Sequence, residues 1–102
     1  MNTVNSGGYK IPPELFDVIP GYMSRRDQDI ADLKKALQEN NFDTIGKIAH
    51  KLKGNGASYG IDRLTEIGIE LLEAARQSDS TLAARIIMDM QMEIENIKAS
   101  IL

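Results

Sequence analysis

An all-α fold, an up-down-up-down antiparallel four-helix bundle with a short extra N-terminal helix, follows from three observations. Apolar residues recur at 3–4 spacing nearly from end to end of the 102-residue chain. Sustained alternation, the mark of a half-buried strand, is absent. The breaks between periodic segments are short, which makes successive helices antiparallel neighbours. No repeat, low-complexity tract or interdomain linker interrupts the pattern, so a single domain is predicted over 13–102. It is preceded by a flexible N-terminal lead-in at 1–12.

Pro12-Pro13 opens the short helix PELFDVI, since proline suits a first helical turn. Pro20 ends that segment or bends it into the next. Tyr22, Met23, Arg26, Ile30, Leu33 and Leu37 then share one face, with Arg26 as the polar exception. Arg25-Arg26 reads as a solvated face or a pair with Asp29. This helix runs to Glu39 and breaks at Asn40-Asn41. The next starts near Asp43, buries Ile45, Ile48, Ala49 and Leu52, weakens at Asn55-Gly56 and is finished by Gly60. A third runs from Ile61 or Asp62 to about Gln77 with Leu64, Ile67, Leu71 and Ala75 inside. Asp79 or Ser80 can cap the last helix, which buries Leu82, Ile86, Met90, Ile94, Ile97 and Ile101. Met88 and Met92 point away from that stripe; ordinary surface methionines outweigh a second interface there.

With no Trp and 5% aromatic residues, the core has to be aliphatic. The absence of cysteine excludes a disulfide framework, a thiolate metal site and a cysteine nucleophile, and fits a reducing cytoplasm. No apolar run reaches membrane-spanning length, and MNTVNSGGYKIPP lacks the regions of a signal peptide. Met1 and this short lead-in favour a free-standing protein. The net charge of −3 disfavours general nucleic-acid binding. Its distribution is uneven: between Asp43 and Asp62 there is no acidic residue, but Lys47, Lys51 and Lys53 are present. A monomer is expected, because all four apolar stripes are used internally.

That positive window contains the only histidine, His50, in GKIAHKLKGNGASYG, together with Gly46, Gly54, Gly56 and Gly60. The stripe Ile45, Ile48, Ala49, Leu52 leaves His50 roughly 150° from its centre, facing solvent. Its neighbours at three and four residues are Gly46, Lys47, Lys53 and Gly54, with Ala57 one turn further on. Glycine inside a helix costs about 0.8–1 kcal/mol relative to alanine. Gly46 and Gly54 lie off the apolar stripe, so they read as a clearing that lets something large approach His50. Gly56 and Gly60 read as helix-ending and close-approach residues. One histidine without further His or Cys is a poor metal site, and nothing requires a hydrolytic triad. An exposed imidazole flanked by ammonium groups suits a phosphoryl acceptor: the imidazole is nucleophilic near neutral pH, and the lysines stabilise the anion.

The segment AHKLKGNGASYG, Ala49–Gly60, resembles the signature of histidine-containing phosphotransfer (HPt) domains: His-x-Leu-Lys-Gly, then small residues and a glycine. His50, Leu52, Lys53, Gly54, Ser58 and Gly60 fall on that pattern. IPGYMSRRDQDIADLKKAL (Ile19–Leu37) resembles the family's preceding helix and LTEIGIELLEAA (Leu64–Ala75) the following one. The resemblance spans about residues 13–100. It implies a phosphorelay intermediate of two-component signalling. His50 would take a phosphoryl group, on Nε2, from a receiver phospho-aspartate or a histidine kinase and pass it to another receiver. Lys53 would stabilise the phosphate, and Lys47 and Lys51 would complement a partner's charge.

The same resemblance implies a stoichiometric carrier without an ATP site or cofactor of its own, Mg²⁺ being expected on the partner receiver domain. The partner-docking face would comprise Gly46, Lys47, Lys51, Gly54, Ala57, Ile69 and Leu72. One position departs from the family. Many members carry a polar residue such as Gln in the third long helix to orient the histidine; here that position is about Leu72, and the nearest carboxylate is Glu73. Ile69 and Leu72 read either as peripheral core or as an apolar ridge for a receiver helix. A helical module that binds receivers or kinases and blocks them, independently of His50, is the alternative function.

Overall fold

The structure, a computed structural model, describes residues 11–101, with Ile101 described by its backbone alone. The lead-in up to Lys10 and the expected burial of Ile101 lie outside the described residues. Four helices follow one another: α1 (Ile19–Gln38), α2 (Phe42–Asn55), α3 (Asp62–Arg76) and α4 (Ser80–Ile101). Short 3-10 turns, Pro13–Leu15 and Ala57–Tyr59, precede α1 and α3. Among the described residues there is no β-strand.

Each junction has a local cause. Asn40, with φ of 52°, takes the left-handed conformation that ends α1, and the Asn41 side chain accepts the Thr44 N–H at 3.1 Å to cap α2. Gly60, with φ of 78°, turns the chain between the second 3-10 turn and α3. Asp79 accepts the Leu82 N–H at 3.0 Å at the head of α4. Pro20 sits in the first turn of α1, where its missing N–H leaves no helical bond unmade.

The expected helix over PELFDVI is not formed beyond Pro13–Leu15. Phe16 and Val18 are exposed, so the segment has no continuous apolar face to offset the cost of nucleating a helix. Ile11, assigned from the sequence to the lead-in, is fully buried in the core. Leu37 and Leu82 are only half-buried; Ala36, Ala83 and Ile87 are buried on those helices.

Contacts between helices fix their directions. Gly46 faces Leu72 and Ala75, Gly68 faces Ala49 and Lys53, and Gly56 faces Thr65, so α2 and α3 run antiparallel. Tyr22 near the start of α1 donates to Asn55 at the end of α2, and Asp27 of α1 pairs with Lys98 near the end of α4. The core fills the centre with Leu33, Ile45, Leu52, Leu64, Leu71, Met90 and similar side chains.

Arg25 is exposed, whereas Arg26 takes the second of the two expected arrangements, the pair with Asp29. Arg26 is buried: its Nε lies 2.9 Å from Asp29 Oδ2, its Nη1 donates to Asn55 Oδ1 at 3.3 Å, and its guanidinium lies 4.5 Å from the Tyr22 ring centroid. The Tyr22 hydroxyl donates to the same Asn55 oxygen at 2.7 Å, and the Tyr22 ring stacks on Tyr59 at 4.0 Å. Arg26 falls on the apolar stripe because its stem packs while its head finds partners. Burial raises both the Tyr22 hydroxyl and the Asp29 carboxyl above their ordinary values, with Arg26 opposing each shift.

Asn55→Ala should therefore cost about 1–3 kcal/mol in urea unfolding, since two buried donors lose their shared acceptor. Asp29 gives a second expectation. A carboxyl raised in the folded state contributes stability that is fully present below its unfolded value and is lost as pH rises through its folded value. Comparison of wild type with Asp29→Asn across the acid range should show wild type losing relative stability as pH rises from near 4.

Candidate functional site

His50 lies on the exposed side of α2, opposite Ile45, Ile48, Ala49 and Leu52, which α2 buries. Directly behind it the backbone of α3 approaches α2 with no side chain between them. A Cβ added at Gly68 would sit 2.5 Å from the Lys53 nitrogen and 2.8 Å from the Ala49 carbonyl oxygen. A second such approach follows immediately after the helix: a Cβ at Gly56 would lie 2.5 Å from the Thr65 nitrogen, and Thr65 Oγ1 accepts the Ala57 N–H at 2.8 Å. Gly56 has an ordinary φ of −56°, so its glycine character serves close approach and not a left-handed turn.

The two glycines flanking His50 differ. Gly54 is open, with nothing within 4 Å of an added Cβ. Gly46 is half-buried; a Cβ there would meet Ala75 at 3.8 Å and Leu72 at 3.9 Å, ordinary contact distances. Gly46 thus forms the floor of a groove and not open surface. That groove, about 750 Å³, follows the α2–α3 seam from His50 toward the head of α2. It brings together Gly46, Lys47, His50, Lys51 and Leu72 with four residues the sequence did not single out for the site, Phe42, Asp43, Ala75 and Arg76. Lys53, Gly54, Ala57 and Ile69 lie outside its lining. Lys53, Gly54 and Ala57 are exposed further along the chain from His50, and Ile69 is exposed on α3 one turn before Leu72.

The cations are unequally committed. Lys47 pairs with Asp43 at 3.2 Å, both highly exposed, an interaction worth little in water. Lys51 faces the Asp29 carboxylate and helps to stabilise its charge. Lys53 has no ion-pair partner among the described residues. Glu73, the nearest carboxylate to the expected orienting position, accepts from Arg76 at 2.7 Å and from Gln77 at 2.6 Å. Among the described residues no side chain hydrogen-bonds to His50; its neighbour across the groove is the half-buried Leu72. The described residues contain no group of three or more His, Asp or Glu able to hold a metal ion. No described helix is long and apolar enough to cross a membrane.

His50 thus presents an exposed imidazole on the outer side of a helix that packs closely against its neighbour in a helical bundle. The model of the Hpt domain family matches residues 22–100, and the chain belongs to that family. Hpt domains serve histidine phosphotransfer in phosphorelay signalling; they are phosphocarriers and interact with receiver domains and histidine kinases. Comparison with curated proteins and with solved structures gives no match.

The contrast between glycines is directly measurable. Gly68→Ala forces two helix backbones apart and should destabilise the domain by roughly 1–3 kcal/mol in denaturant unfolding. Gly54→Ala meets open space and should raise stability by up to about 1 kcal/mol.

Proposed function

We propose that His50 carries the phosphoryl group between receiver-domain aspartates, or from a histidine kinase to a receiver. Nε2 of the neutral imidazole attacks phosphorus in line. A P–N bond forms as the donor's bond to phosphorus breaks, and the departing carboxylate or imidazole keeps the electron pair. Return transfer reverses these bonds onto the next aspartate. The observation that carries this reading is the sole histidine standing exposed at the middle of α2, at the mouth of an apolar-floored groove.

Lys53 supplies the charge. It is exposed three residues on from His50, on the adjoining turn, and its ammonium has no ion-pair partner among the described residues, so it can meet the phosphoryl oxygens as the group arrives. Gly54 keeps the next turn low, which admits a partner's active site to the imidazole. Gly46 and Leu72 offer an apolar floor, Ile69 and Ala57 extend it on either side, and Lys47 and Lys51 supply positive charge on the rim facing an acidic receiver site. The receiver is expected to bring Mg²⁺, and this chain to need no cofactor. A cysteine-free chain suits the cytoplasm, the compartment proposed for the relay.

Incubation with a phosphorylated receiver domain should transfer acid-labile, base-stable label to the chain, and His50→Gln should accept none. Label persisting on that variant sinks the assignment, and binding with no transfer to wild type favours a blocking module instead. Lys53→Ala should slow transfer about tenfold with little change in stability, because it removes one charge-assisted contact; an unchanged rate means that the phosphate is stabilised elsewhere.

A further inference from the structure

The outward face of α4 has the composition of an interface. α4 packs on α1 and α3, and it buries Ala83, Ile86, Ile87, Met90, Ile94 and Ile97. At 100° per residue, the opposite side centres on Met88 and Met92. These methionines are 64% and 59% exposed, the most exposed large apolar side chains among the described residues. The rest of that face has only two charges, Arg85 and Glu95, one near each end. Neither forms an ion pair within the described chain, although α2 and α3 carry ion pairs on their exposed sides.

The sequence of this face is complementary to its own reversal. An antiparallel copy with its two-fold axis at residue 90 sets Met88 against the partner copy's Met92. The same register sets Arg85 opposite Glu95, twice by symmetry. At the margins it sets Ala84 opposite Asn96 and Thr81 opposite Ala99, small or short side chains that let the two helices close on the methionines. A shift of one helical turn in either direction still sets one methionine against its own copy but separates the opposite charges, so Arg85 and Glu95 fix the register.

We infer that the chain self-associates through α4 as an antiparallel, two-fold dimer. Four internal apolar stripes had suggested a monomer, and the second use of α4 lies on the side those stripes leave free. One helix face per copy makes a contact smaller than a standard protein interface, so the dimer is weak and exchanging. α2 lies across the bundle from α4, which leaves both copies of His50 uncovered and facing away from each other. The dimer is thus a two-headed carrier, able to gain avidity from partners presented in pairs. This holds independently of which group His50 carries.

Sedimentation of the full chain from about 20 µM to about 1 mM covers the range of a weak association. Wild type should show a monomer–dimer equilibrium. Arg85→Glu sets glutamates against each other at both ends and should weaken it about tenfold or more; Glu95→Arg, equivalent by symmetry, repeats the test with arginines. The double variant R85E/E95R should return to the wild-type constant. Both positions are exposed and unpaired among the described residues, so far-UV circular dichroism should be unchanged in all three. A chain that stays monomeric throughout overturns the inference. So does association indifferent to R85E, or a double variant that stays as weak as the single ones.

Discussion

At Gly68 the backbone of α3 leans on the backbone of α2, with the Lys53 nitrogen and the Ala49 carbonyl where a side chain would otherwise be. Much of the site follows from that crossing. It sets the depth of the α2–α3 seam, and so places Leu72 and Ala75 against Gly46 to make the groove floor. It holds the turn bearing His50 from behind, so the imidazole stands on a surface that does not yield when a partner presses on it. A small-residue crossing gains dispersion contacts from backbone atoms on both sides. Gly56 repeats the device against Thr65 and sets the angle at which α2 leaves the seam.

Beyond Gly54, the end of α2 is held differently. Asn55 accepts from Tyr22 and Arg26, and so ties α2 to the first turns of α1 through a polar cluster covered by Tyr59. The cluster is directional where aliphatic packing is not. Leucine and isoleucine would accept a small rotation of α2 about its axis, but the shared Asn55 oxygen does not. A rotation there would turn His50 and Lys53 together, away from their present orientation relative to α3. The half-buried Asp29 charge is the cost of this arrangement, and Arg26 offsets part of it.

The helices were legible because each has an aliphatic stripe and a chemically distinct end: Asn40-Asn41, Gly60, Asp79. The exposed position of His50 was legible for the same reason, since periodicity fixes which way a side chain faces. Arg26 was legible in part: its pair with Asp29 lies one turn away, but its burial also depends on Asn55, which is distant in sequence. Asn55 carried no local signal at all, since its role depends on two residues of another helix. Gly68 did carry one: it falls between Ile67 and Leu71 on the buried face of α3, where a glycine marks close backbone approach. The short N-terminal helix failed because local proline chemistry can start a turn but cannot extend one without a face to bury. Phe42 and Arg76 were out of reach because a groove belongs to two helices, and periodicity describes one at a time.

The tie between Asp27 and Lys98 joins residues 71 positions apart, whereas the α2–α3 contacts join segments close in sequence. Closing the shorter loop costs less chain entropy, so the hairpin that carries His50 is the part of the bundle able to form early. The seam between the first and last helices closes the longest loop. The face bearing His50 thus belongs to the most local part of the fold, and the seam remote from it to the least local.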